Sequence, residues 1–92
     1  MNIFVLKSMQ YLDNPELFTS VEMWENANNA WAVVDNDGDY DADCAASATT
    51  NAAYATADSY ADAAHANYWL DKYFKETGED KQTYINEVER LR

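Results

Sequence analysis

Twelve of the fifteen alanines in this 92-residue chain fall between Ala42 and Ala66. Ala45, Ala48, Ala52, Ala55, Ser59, Ala63, Ala66, Leu70 and Tyr73 follow one another by threes and fours, and Ala46, Ala53, Ala57, Tyr60 and Ala64 form a second stripe beside them. That spacing predicts one long helix, from about Asp41 to Thr77, which would span roughly 55 Å at 1.5 Å per residue. Alanine supplies helix propensity, and its small side chain also lets another backbone come close. The helix is therefore expected to pack tightly, either on a helix over residues 20–34 or on a second copy of itself. Gly78 is placed to end it in a left-handed cap, and Lys72 and Lys75 suit the negative end of its dipole.

The rest of the chain also reads as helix, giving an all-α class: a small helical bundle in a single domain over residues 1–92. Thr19-Ser20-Val21-Glu22 fits a capping box, with Phe18 and Met23 at the spacing of a hydrophobic staple. Val21, Trp24, Ala27 (or Asn28), Trp31 and Val34 then form an apolar stripe, so a helix over 20–34 is expected to bury that face. Val5, Met9 and Leu12 favour a helix over 2–12, although Ile3-Phe4-Val5-Leu6 is also compatible with a buried strand. Asp13-Asn14-Pro15 reads as a turn. Glu79 and Asp80 favour the start of a last helix over 80–91, whose apolar face is Tyr84, Ile85, Val88 and Leu91. Asp35 to Asp43 reads as an acidic connector, helical by about Tyr40. Alanine buries little area, and the larger apolar residues lie near the two ends. A monomer of this size is thus marginal, and a homodimer is expected.

Charge bears on partners. Between Ser8 and Asp71 there is no lysine or arginine, while the same 64 residues hold twelve carboxylates; the net charge of the chain is -11. Nucleic-acid binding needs clustered cations, and anionic membrane is disfavoured for the same reason. A positive protein surface is the natural complement, although acidity also simply keeps small proteins soluble. Cys44 is the only cysteine, which excludes an intrachain disulfide and fits a reducing compartment. Ile3 to Leu6 is too short for a signal-peptide core or a membrane span. A cytoplasmic protein is the expectation.

The residues give little support for catalysis or metal binding. Asp35, Asp37, Asp39, Asp41 and Asp43 suggest a calcium loop, but the sixth position is Tyr40 rather than glycine and the twelfth is Ala46 rather than glutamate. Asp58, Asp62 and His65 share one face of the long helix, yet a bundle metal site repeats Glu-x-x-His over several helices. Cys44 stands among carboxylates that blunt its thiolate, with the lone His65 about six turns away along the same helix. No catalytic residue, metal site or cofactor is assigned, and the chain is read as non-enzymatic. The candidate partner-binding residues are Asp35, Asp37, Asp39, Asp41, Asp43, Asp58 and Asp62, with Tyr54 as an aromatic anchor. Helical carboxylates four apart rise about 6 Å per step, whereas duplex DNA carries one charge per about 1.7 Å of axis. Competition for a basic groove is expected rather than a close copy of DNA.

The segment from Tyr68 through Trp69, Leu70, Tyr73, Phe74 and Gly78 to Asp80, followed by Gln82, Tyr84 and Ile85, resembles the C-terminal end of small Ala/Tyr/Asp-rich proteins of tailed bacteriophages. The alanine run before it is similar as well, so the likeness covers roughly Thr19 to Leu91. It implies a phage-encoded protein of the host-takeover or anti-defence kind, such as DNA mimics and anti-CRISPR inhibitors, acting in the bacterial host cytoplasm. The expected partner is then a basic host protein or ribonucleoprotein complex. The resemblance carries over no binding residues. The alternative is a structural or assembly module that homo-oligomerises through the alanine-rich helix.

Overall fold

The computed structural model describes residues 1–34, 40–59 and 63–92, with side chains at 1–34, 43–58 and 63–92. It is a small all-α fold, with five α-helices and no strand among the described residues: α1 (Ile3–Asp13), α2 (Ser20–Val34), α3 (Tyr40–Ser59), α4 (Ala63–Thr77) and α5 (Lys81–Arg90). The strand alternative for Ile3–Leu6 is not realised. The Asn2 side chain caps α1 by accepting from the backbone N–H groups of Phe4 (2.9 Å) and Val5 (3.2 Å). Asn14, held extended by the following proline, leads into a short 3₁₀ turn over Pro15–Leu17. The capping box forms reciprocally: the Thr19 N–H donates to Glu22 Oε1 (3.0 Å), and the Glu22 N–H donates to Thr19 Oγ1 (3.2 Å). Gly78 has φ +71°, and its N–H closes on the Phe74 carbonyl at 3.0 Å. Asp80 caps α5 through the Gln82 N–H, 3.0 Å away.

Two expectations are corrected. The helix over 41–77 is two helices, because α3 ends at Ser59, α4 begins at Ala63, and the two pack against each other. Ala45 and Ala46, near the start of α3, share a core cluster with Leu70, Tyr73 and Phe74 near the end of α4, so the helices run antiparallel. Alanine periodicity persists through both arms and therefore does not reveal the reversal. The longest dimension of the molecule is 34 Å, against 25 and 20 Å for the others, well short of a rod. The second correction concerns α2, which buries Met23, Asn26, Ala27, Ala30 and Val34. Val21, Trp24 and Trp31 of the expected core stripe lie outside, 60%, 49% and 58% exposed.

α3 packs against α2, α4 and α1 and is the centre of the bundle. Its residues Ala45, Ala46, Ser47, Thr49, Thr50, Ala52 and Ala53 are all buried, around most of the helix circumference. Helix axes approach to about 8–10 Å depending on the side chains between them. A helix covered on several sides at the near end of that range has room only for small residues. Its buried hydroxyls are satisfied within the helix itself: Thr49 Oγ1 donates to the Ala45 carbonyl (2.8 Å) and Thr50 Oγ1 to that of Ser47 (2.8 Å). Close packing of the alanine face is thus met inside one protomer, by α2 and α4.

Bulk collects at the ends of α3. One cluster joins Val5, Met9, Leu70, Tyr73, Phe74, Tyr84 and Val88 with Ala45 and Ala46. The Phe74 and Tyr84 rings meet edge to face, with centroids 5.0 Å apart. The other cluster joins Tyr11, Met23 and Ala53, with Phe18 packed on it. Between α1 and α2, Asn26 Nδ2 donates to the Phe4 carbonyl at 3.1 Å, so a buried polar side chain pins the two helices. The Glu79 carboxylate accepts from the Tyr73 and Tyr84 hydroxyls, and the Tyr84 oxygen accepts from the Asn2 N–H at 2.7 Å. Burial, reinforced by the hydrogen bonds to Glu79, pushes both tyrosine pKa values up. They therefore remain neutral donors, and the network ties the start of the chain to the α4–α5 turn.

Candidate interaction surface

Of the candidate binding residues, the structure describes the side chains of Asp43, Tyr54 and Asp58. Asp35, Asp37, Asp39 and Asp62 lie outside the described residues. Asp41 is in the first turn of α3, and its side chain is likewise outside them. Asp43, the fourth residue of α3, is 8% exposed, so it offers little to a partner arriving from solvent. Its place near the helix N-terminus is one where the dipole favours a carboxylate. Asp58 is exposed near the other end of α3, and Tyr54, one turn before it, is half-buried. Fifteen residues separate Asp43 from Asp58, about 22 Å along the helix. With Asp43 inside, no regular row of exposed carboxylates runs along the described part of α3.

The structure brings Tyr54 and Asp58 together with α2 instead. Because α2 and α3 are neighbours, Ser20, Val21 and Trp24 at the start of α2 meet Tyr54 and Asp58 across a shallow groove of about 270 Å³. Tyr54 is seated from below by the Tyr11, Met23 and Ala53 cluster. Trp31 follows Trp24 by seven residues, two turns or about 10 Å along the same flank of α2. Glu25, also exposed, follows Trp24 in sequence. The surface therefore carries large aromatics, which are favoured where proteins meet, beside the exposed carboxylate of Asp58. Sequence reasoning had Trp24 and Trp31 as core. Ala27 and Val34 of the expected stripe are buried, and the competing signal was available in Met23, Asn26 and Ala30, which complete the buried face with them at helical period.

Cations bear on this surface only weakly. Among the described residues, ion pairs join Lys81 to Asp71 (3.0 Å), Arg90 to Glu87 and Arg92 to Asp13. The hydrogen-bonded guanidinium of Arg92 holds the Asp13 carboxyl below its usual range, and that of Arg90 does the same for Glu87. None of these pairs involves Glu16, Glu25 or Asp58. Lys7 Nζ stands 4.9 Å from the Phe18 ring centroid, and Lys72 Nζ stands 5.3 Å from that of Trp69.

The metal reading changes with the fold. Asp58 is on α3 and His65 on α4, so they do not share a helix, and the same break separates Cys44 from His65. Exposed His65 meets Trp69 edge to face, with centroids 6.5 Å apart. Among the described residues, no group of three or more His, Cys, Asp or Glu side chains is placed to hold a metal ion. Among the same residues, no helix is long and apolar enough to cross a membrane. The chain matches no protein-family model, no curated protein and no solved structure.

Proposed function

We propose that this protein is a non-enzymatic acidic binding protein that docks its α2–α3 flank on a basic protein surface. One observation carries the reading: Trp24 and Trp31 stand half-exposed on a helix within a stretch of 64 residues that has no lysine or arginine. Exposed tryptophan is apolar area left in water, roughly 25 cal/mol for each Å² that a partner would cover. Tryptophans inside an interface dominate its energy, while the net charge of -11 steers a positive partner and repels nucleic acid. The resemblance to small acidic phage proteins is the reason for placing that partner among host defence or nucleic-acid-handling complexes, whose grooves are basic. Binding there blocks the groove by electrostatic competition. Homo-oligomerisation through the alanine-rich helix is the weaker reading, because Ala45, Ala46, Ala52 and Ala53 are already buried within the protomer.

Affinity capture from a bacterial host lysate, with mass spectrometry, tests the proposal. A basic nuclease, CRISPR or restriction component should be retained at low salt and released as ionic strength rises. The Trp24→Ala, Trp31→Ala double variant should lose it. Retention of no basic protein, or retention indifferent to salt and to the double variant, overturns the reading.

A further inference from the structure

The groove where α2 and α3 meet has the chemistry of a receptor for a single cationic side chain. Trp24 and Tyr54 bring aromatic rings to it from two different helices, and Asp58 adds an exposed carboxylate. Among the described residues no ion pair involves Asp58, so its charge is open to a visitor. The ring faces attract a cation through their quadrupole, tryptophan most strongly. The molecule uses the same attraction internally, where Lys72 stands over Trp69.

Arginine and lysine would use such a groove differently. A guanidinium is flat and weakly hydrated, so it can lie on an indole while its edge N–H groups pair with a carboxylate in parallel. An ammonium is a strongly hydrated point charge with no flat face, and it must lose more water to reach the same place. The aromatic rings of the groove give a flat guanidinium a surface to stack on, which an ammonium cannot match. We propose that this groove binds an arginine side chain of the partner protein, stacked on Trp24 and paired with Asp58. The proposal rests on the basic-partner reading and sharpens it, making the α2–α3 flank selective for arginine over lysine at equal charge.

Titration of the full chain with hexa-arginine and with hexa-lysine, at physiological ionic strength, tests this by nuclear magnetic resonance. Hexa-arginine should bind about fivefold more tightly, with the largest shifts at the Trp24 indole N–H and the Asp58 amide. Trp24→Ala and Asp58→Asn should each bring the two peptides to similar affinity. Both residues are exposed, and circular dichroism should show unchanged helicity. Equal affinity for the two peptides, tighter binding of hexa-lysine, shifts centred on Trp31 or Trp69, or a preference that survives both variants overturns the arginine site and leaves the basic-partner reading standing. Failure of both peptides to bind overturns both.

Discussion

The middle of α3 and the outer flank of α2 invert the usual ranking of residues by hydrophobicity. Ser47, Thr49 and Thr50 are sealed inside, while Val21, Trp24 and Trp31 face water. The difference follows from room. α3 has neighbours on several sides, and a helix so placed can carry only side chains short enough for other backbones to approach. α2 has α3 and α1 on its inner side, so its inner face is filled by residues no larger than Met23 and Val34. Its bulkiest side chains are left on the flank. Along the middle of α3 burial goes to short side chains, whereas Tyr11, Tyr73, Phe74 and Tyr84 are buried in the clusters towards its ends, and the tryptophans of α2 are left half-exposed.

The sharpest way to break this comparison is to enlarge the centre. Ala53 is fully buried, and Ala53→Leu should destabilise the fold by about 3 kcal/mol through overpacking, read by urea unfolding. A variant as stable as the parent would show that α3 is not closely enclosed. A smaller effect is expected where α2 depends on its own sequence rather than on burial. Thr19→Ala removes half of the capping box and should cost about 1 kcal/mol, measured the same way. The hydrogen bond from the Thr19 backbone holds the Glu22 carboxyl below its ordinary value of 4.5. A depressed folded value adds stability above the unfolded pKa and loses it as pH falls through the folded one. Glu22→Gln should therefore flatten part of the acid limb of stability below pH 4.5. The smallest change should come from the flank. Trp24→Ala and Trp31→Ala should each alter stability by less than about 0.5 kcal/mol while weakening partner capture. A loss of several kcal/mol would mean that these side chains are structural after all.

Local signals in the sequence were reliable where they involve neighbours in the chain. Thr19 and Glu22 cap one another, Asn14 is extended before Pro15, Gly78 adopts the left-handed turn and Asp80 starts α5. Each rests on contacts within a few residues. Signals that needed to know what lay across the molecule were ambiguous. Trp24 and Met23 both belong to stripes of helical period that share Ala27 and Val34, and the buried face is the one that holds Met23. Of the candidate binding residues, Tyr54 and Asp58 proved to share a groove, but Ser20, Val21 and Trp24 on its far side come from another helix. Asp43 carries the same charge as Asp58 and lies in the same alanine-rich helix, yet only Asp58 reaches solvent.

The chain by itself determined that it would be helical, where most of its helices begin and end, and that it would carry a long stretch without a cation and a net charge of -11. Those properties follow from backbone capping, periodicity and net charge, which act locally or summed over the whole chain. Only the tertiary structure decided that the alanine-rich run folds back into two helices, and that α3 occupies the centre with the tryptophans of α2 outside. That choice depends on how much space three packed helices leave between them, a quantity that no single segment carries.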